Sequence, residues 1–352
     1  MPLIWRQNGG TMAEKKQALL IFTKPPLPGV VKTRMTTEYG GFFTMEQAAQ
    51  FYKCCFYDVC DMSMQALGEL QMMNDELVAN DPSADKVTYD FFCSTTPASS
   101  LDSVKKVFDA IGPWPLDINF IVDTGSTFDE HFNDAFEQIF AMGYESIVSI
   151  GGDVPTMPKS HIIQAFQWLD YFQAIGEPGF VYAPCQECGT SLVGFSYNTV
   201  MDHTGVYYNM DGRPALDGYL VKLQEANVPS AYFEPVADVD EITDLGHAIS
   251  CMRAIKEAAR YQPLFVPFRT LSWCDIMGIT VSTPPNENHD PRGMLDGDEE
   301  VEVDAEELKK FVSSVAGDAP TDDERERIAK GMASLRDGQA AENAYEASQY
   351  GN

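Results

Sequence analysis

The sequence predicts an α/β protein: a three-layer α/β/α arrangement around a mostly parallel, Rossmann-like sheet. Three observations carry this. Short apolar runs of strand length alternate with longer segments apolar at helical spacing, over about residues 17–260. Those short runs are apolar at successive positions rather than alternate ones, as strands covered on both faces must be. Two of them, 18–24 and 146–150, run straight into loops rich in Pro, Gly, Lys and Asp, and in such sheets ligands bind beyond the carboxyl ends of the strands.

The elements follow in order. ALLIFTK (18–24) reads as a buried first strand entering the rigid loop Pro-Pro-Leu-Pro-Gly. Residues 44–67 read as a helix opened by a Thr44/Gln47 capping box. A second strand is expected at 89–93, a helix at 99–110 stopped by Gly112-Pro113, and a third strand at 119–122. A helix at 129–142 ends at Gly143, the fourth strand is 146–150, and a helix at 159–174 precedes a strand at 180–183. A last helix is expected at 242–260.

Residues 1–16 read as an N-terminal extension, 17–260 as the domain and 261–303 as a linker, rich in Pro, Asn and acid from 281. Residues 304–352 read as an acidic helical or disordered tail, with capping boxes at Asp304/Glu307 and Thr321/Glu324.

Charge narrows the partners. Of 352 residues 24 are basic and 53 acidic, a net charge of −29. Such a chain repels nucleic acid and anionic membranes. A nucleotide remains open, because a few local cations and a divalent metal can hold it in an acidic protein. No stretch is apolar enough to insert in a bilayer and no signal-peptide core is evident, so a cytoplasmic location is expected. The eight cysteines then read as reduced thiols, with Cys185 and Cys188 as the one CxxC.

Three segments carry chemistry. In Lys24-Pro-Pro-Leu-Pro-Gly-Val-Val-Lys-Thr-Arg34 the prolines, Pro28 among them, and Gly29 fix a loop whose backbone can approach a phosphate. Lys24, Lys32 and Arg34 place three cations there, the lysines as point charges and the arginine as a fork. The alternative is a solvated basic turn. In Ile150-Gly-Gly-Asp-Val-Pro-Thr-Met-Pro158, Asp153 follows a buried strand and suits Mg²⁺ or Mn²⁺ bridging a diphosphate, with Gly151 and Gly152 leaving room for a ligand. The alternative is a helix or turn cap. In Asp238-Val-Asp-Glu-Ile-Thr-Asp244, Asp238 and Asp240 share one side if the stretch is extended, and a carboxylate from here meeting Asp153 would complete a metal site. Capping of the next helix is again the alternative for Asp240.

These segments, in this order, resemble the small bacterial GT-A-fold putative glycosyltransferases of the nucleotide-diphospho-sugar transferase type, a family similar to the molybdenum-cofactor and phospholactate guanylyltransferases. FTKPPLPGVVKTRM resembles its K-x-P-x-P-G-x-V-K-T-R-[LM] opening, IGGDVPTMP its G-x-D-x-P-x-x-P, and DVDEITDL its D-V-D-T-x-x-D-L. The resemblance spans about residues 17–260. It implies a nucleotide over the first loop on Lys24, Pro28, Gly29, Lys32, Arg34 and Gly152, Asp153 at the metal and diphosphate, and Asp240 as second ligand, with Asp238 beside it.

Two segments depart from that pattern. G-x-x-L-G-E-R is replaced by Gly125-Ser-Thr-Phe-Asp-Glu-His131, and P-x-x-D-G-G-Y-Y-L-x-G by Pro184-Cys-Gln-Glu-Cys-Gly-Thr-Ser-Leu-Val-Gly194. The second would face the acceptor, and Glu187 is its candidate general base or acceptor anchor. The expected function is a metal-dependent transferase taking a nucleotide-sugar to an unidentified acceptor. The alternatives are a nucleotidyltransferase releasing pyrophosphate, and a nucleotide-binding regulator or scaffold that has lost catalysis.

Overall fold

The computed structural model describes residues 14–281 except Met210, with Glu187 described in its backbone alone. The tail helices expected beyond 304 and most of the N-terminal extension lie outside the described residues.

Seven strands form one sheet: β1 (Glu14–Phe22), β2 (Lys86–Thr95), β3 (Ile118–Val122), β4 (Ser146–Ile150), β5 (Phe180–Pro184), β6 (Thr190–Ser196) and β7 (Ser230–Tyr232). Their order is β3-β2-β1-β4-β6-β5-β7. All neighbours run parallel except β6, which is antiparallel to both β4 and β5. The expected three-layer, mostly parallel sheet is thus the observed one.

Among the described residues seven α-helices accompany the sheet: α1 (Met45–Asn80), α2 (Leu101–Asp109), α3 (Phe128–Ala141), α4 (Lys159–Ala174), α5 (Ala215–Ala226), α6 (Ile242–Ala258) and α7 (Phe268–Ile276). The strand period of two decides which face each residue serves. On β1, Leu19 and Ile21 join Phe56 of α1, Phe108 of α2 and Phe166 of α4 in one apolar cluster. Ala18 and Leu20 point the other way, into a cluster with Phe132 and Phe136 of α3 and Tyr219 of α5. Both faces are buried, which is why these strands are apolar throughout.

Differences from the sequence expectation have physical reasons. Helix α1 continues past residue 67 because polar residues anchor its last turns: Asn74 Oδ1 accepts from the Val87 amide at 2.9 Å and its Nδ2 donates to the Asp85 carbonyl at 3.0 Å. Apolar periodicity cannot see such anchors. Strand β6, strand β7 and helix α5 went unforeseen; β7 has only three residues.

The linker expectation for 261–303 is corrected at its start. Helix α7 packs Leu271 and Cys274 against Phe51 and Cys55 of α1. Asp58, 1% exposed, accepts from the Thr270 amide and hydroxyl at 2.8 Å each and pairs with Arg269 at 3.1 Å. The compact unit therefore extends to Val281. No described helix is long and apolar enough to cross a membrane.

Candidate functional site

Lys32, Arg34, Asp153 and Asp240 meet beyond the carboxyl ends of β1 and β4. After β1 the chain passes through Thr23 and Lys24 into the Pro-Gly loop. Two residues there take left-handed backbone: Gly29 at φ 74° and Lys32 at φ 51°. Glycine adopts this freely, whereas lysine does so at a cost that its surroundings must offset. The offset is at the side chain: Lys32 Nζ lies 2.6 Å from Asp153 Oδ2 and 2.6 Å from Asp240 Oδ1. With 7% of its side chain exposed, Lys32 is no solvated turn lysine.

Asp153 stands three residues past the end of β4. Its backbone carbonyl accepts from the Val239 amide at 3.1 Å, which ties the 238–240 segment alongside. Gly151 lets the Asp153 side chain fold back, since a Cβ there would lie 2.7 Å from Oδ1. Gly152 corrects the sequence reading. It is buried, and a Cβ there would meet Tyr52 Oη at 3.0 Å and Phe56 at 3.1 Å. The room once assigned to a ligand is filled by α1.

The helix caps are made by other residues. Helix α6 is capped by Glu241 with Asp244, whose carboxylate accepts from the amides of Asp240 and Glu241 at 3.0 and 2.7 Å. The Asp240 carboxylate is thereby left to Lys32, with Arg34 Nη1 at 3.8 Å from its other oxygen. Asp153 caps no helix; the N-cap of α4 is Pro158.

The charges of this cluster are interdependent. Burial alone would lower the Lys32 pKa, but Asp153 and Asp240 outweigh it and the net shift is upward. Lys32 in turn holds Asp240 below the usual carboxylate range. Burial, then the like charges of Asp153 and Asp240, push Asp238 up to about 7. Sequence reasoning missed two supports. Tyr52 of α1 sets its ring 5.8 Å from Lys32 Nζ and its hydroxyl 2.9 Å from Thr23 Oγ1. Gln186 clamps the backbone of Asp238, donating to its carbonyl at 2.7 Å and accepting from its amide at 3.2 Å. A lone Tyr or Gln carries no motif, so only the fold exposes these roles.

Glu187 lies in the one-turn helix Gln186–Cys188, which Gln186 fastens to Asp238. At the two positions where the resembled pattern has tyrosine, this loop carries Thr190 and Ser191. Ser191 is 2% exposed, its hydroxyl donating to the Val236 carbonyl, so it lines no pocket. Thr190 Oγ1 lies 3.2 Å from the hydroxyl of Tyr207, so a phenol arrives from another loop. That loop is held by Asp129, at the position where the resembled family has glycine: its carboxylate accepts from the amides of Gly205 at 2.8 Å and Tyr207 at 2.7 Å.

Do these residues fit a divalent metal? Among the described residues no group of three or more His, Cys, Asp and Glu side chains converges on a metal position. Two carboxylates do converge, with the Lys32 ammonium standing between them as a cation. Mg²⁺ is commonly held by one or two carboxylates plus substrate phosphates, and hard carboxylate oxygens suit Mg²⁺ or Mn²⁺. The pair fits that mode and not a site built wholly from protein.

Comparison with known proteins agrees with the architecture. Residues 84–210 match a family model described as "Uncharacterized protein conserved in bacteria (DUF2064)". No curated protein matches. The fold resembles the crystal structure of a candidate nucleotide-diphospho-sugar transferase from Desulfovibrio desulfuricans G20, at 21% identity over 74% of this chain and 96% of that one, with a TM-score of 0.54. A cytidylyltransferase from Leptospira borgpetersenii matches at 12% identity, 76% and 94% coverage and a TM-score of 0.36. Residues 84–210 thus resemble the DUF2064 family model, and the fold resembles that of the Desulfovibrio protein.

Proposed function

We propose that this protein is a metal-dependent transferase that takes a nucleotide-sugar as donor. The observation that carries the proposal is the Lys32 ammonium held between Asp153 and Asp240 at the carboxyl edge of the central strands. A buried cation flanked by two carboxylates, with a second cation, Arg34, two residues on and 3.8 Å from Asp240, is a preorganised diphosphate seat. Lys24, Lys32 and Arg34 donate to phosphate oxygens, and Pro28 and Gly29 hold the loop that presents them. Asp153 and Asp240, with Asp238 beside them, are the residues that would hold Mg²⁺ or Mn²⁺. Such an ion would supply positive charge against the negative charge that builds on the leaving nucleotide.

The chain's own contribution is positioning and proton transfer. Lys32 keeps a positive charge beside the departing phosphate without reorganisation, because both carboxylates already fix it. Glu187 is proposed to take the proton from the acceptor hydroxyl as it attacks the sugar carbon. The bond from that carbon to the phosphate oxygen breaks, and the nucleoside diphosphate leaves with the electron pair. The test is a thermal-shift and turnover panel of nucleotide-sugars with and without Mn²⁺. Release of a nucleoside diphosphate supports sugar transfer. Release of pyrophosphate from a nucleoside triphosphate would replace it with nucleotidyl transfer. Binding without any turnover would favour a lapsed enzyme acting as a regulator or scaffold.

A further inference from the structure

The two segments that depart from the resembled pattern meet in space. The first, 125–131, opens α3 with Phe128 and Asp129, where that pattern has leucine and glycine. The second, 184–194, starts β6 with Thr190, where it has tyrosine. Tyr207 joins them. Its ring lies 4.9 Å from that of Phe128, and its hydroxyl lies 3.2 Å from Thr190 Oγ1. Asp129, buried, fixes this loop, since its carboxylate accepts from the amides of Gly205, Tyr207 and Tyr208. A glycine could not do so.

The wall so formed borders the phosphate seat. Strand β6 is antiparallel to β4, so its start lies at the carboxyl edge of β4. There the Gly151 amide donates to the Ser191 carbonyl at 3.3 Å. Phe22, the last residue of β1, meets Phe128 at 5.9 Å, and its carbonyl oxygen lies 3.6 Å from where a Gly152 Cβ would stand. Side chains alternate in direction along a strand. A Gly152 Cβ would face Tyr52 and Phe56 of α1, so one at Gly151 would face the α3 side, and Asp153 Oδ1 lies 2.7 Å from that position. Lys32 takes the other oxygen, Oδ2. Asp153 thus stands between the ammonium and the face of the sheet that carries Phe128 and Tyr207.

The chemistry of this wall suits a sugar. One exposed apolar ring is ordinary by itself. Phe128 is 45% exposed yet fixed, with the rings of Phe22, Phe132 and Tyr207 against it at interplanar angles of 64°, 64° and 75°. Tyr219, buried, donates to the Tyr207 hydroxyl at 2.9 Å, which leaves Tyr207 its own proton for Thr190. The half-buried Thr190 then keeps its hydroxyl proton for a further acceptor. A pyranose offers a C–H face and hydroxyl oxygens together, which a fixed ring beside an oriented donor can meet.

We propose that Phe128 and Thr190 contact the transferred sugar of the donor, Phe128 packing on its C–H face and Thr190 donating to one of its oxygens, with Tyr207 and Asp129 as positioning residues. This rests on the sugar-transferase reading given above. The test is calorimetric titration of the full chain, in Mn²⁺, with UDP-glucose, UDP-N-acetylglucosamine, GDP-mannose and ADP-glucose, each beside its parent nucleoside diphosphate. For the conjugate that binds best, Phe128→Ala, Phe128→Leu and Thr190→Val should each weaken binding roughly five- to tenfold, with the affinity for the parent diphosphate held within about twofold. Phe128→Tyr, which keeps the ring, should stay within about twofold of wild type for both ligands. Tyr207→Phe should weaken the conjugate alone by about two- to threefold, because Thr190 keeps its hydroxyl but loses its orientation.

Two results would overturn this contact alone: conjugate affinity unchanged in Phe128→Ala and Thr190→Val, or diphosphate affinity falling in parallel with it. A wild-type protein that binds a nucleoside diphosphate but none of its sugar conjugates overturns the contact and the sugar-transferase reading together.

Discussion

Lys32 and Asp153, 121 residues apart in the chain, meet at 2.6 Å at the carboxyl edge of the sheet, and Asp240 closes on the same ammonium at 2.6 Å. A backbone in left-handed conformation at a lysine, and a lysine buried between carboxylates, are both costs that make sense only together.

Substitution of Lys32 should therefore act on binding and on stability at once. Lys32→Ala leaves Asp153 and Asp240 facing each other without their cation, and nucleotide affinity should fall roughly ten- to a hundredfold, the usual loss for a charge-assisted phosphate contact. Lys32→Arg should not restore it, since a planar fork cannot occupy the place of a compact ammonium. Titration of nucleotide into each folded variant checks both statements.

Helix α7 supplies a prediction of stability alone. Asp58 accepts two hydrogen bonds from Thr270 and pairs with Arg269, which also reaches Asp61 at 2.6 Å. Asp58→Ala should cost about 2–3 kcal/mol, read as a lower urea midpoint with an unchanged slope. Truncation at residue 260 should destabilise the domain further, because Leu271 and Cys274 leave the α1 surface. A truncated chain as stable as the full one would show that α7 only rests on α1.

How much of this was legible in the sequence differs by residue. The strand ends bearing Lys32, Asp153 and Asp240 stood out because charge and glycine after a fully apolar run break the pattern. Their convergence on one ammonium did not, because it depends on β1 and β4 pairing in register, from Gln17 opposite Ser146 to Ile21 opposite Ile150. Gly152 misled: a glycine before a site aspartate reads as space for a ligand, but its demand comes from Tyr52 and Phe56. His131 carried no signal in the sequence, since the Asp123 carboxylate 2.7 Å from its Nδ1 sits eight positions earlier in a loop with no motif. Strand β6 was missed because an antiparallel return after a Cys- and Gly-containing turn has the same apolar texture as its neighbours.

His203 supplies the pH prediction. It is fully buried among Phe132, Phe136 and Phe195, its Nδ1 donates to Asn133 Oδ1 at 2.8 Å, and burial lowers its pKa from 6.5 to about 3. The unfolded chain binds this proton and the folded one does not between those values. The stabilising contribution is complete above pH 6.5 and is lost progressively as pH falls toward 3, by up to about 1.4 kcal/mol per unit. Asp170 opposes it: burial raises its carboxyl to about 6, so its own contribution falls as pH rises from 3.8 to 6. The difference between wild type and His203→Gln isolates the histidine. Urea midpoints at pH 7 and 5 should converge between the two proteins as pH falls; parallel midpoints would contradict the assignment.

The central claim is tested most directly by one calorimetric titration of nucleotide-sugar, with and without Mn²⁺, into wild type and Asp153→Asn. Wild type should bind, and Mn²⁺ should tighten binding by about tenfold or more, equivalent to roughly 1.4 kcal/mol. In Asp153→Asn the gain from Mn²⁺ should vanish while the fold persists. Equal affinities for the two proteins, or no nucleotide binding by wild type under either condition, would contradict a phosphate and metal seat at Lys32, Asp153 and Asp240.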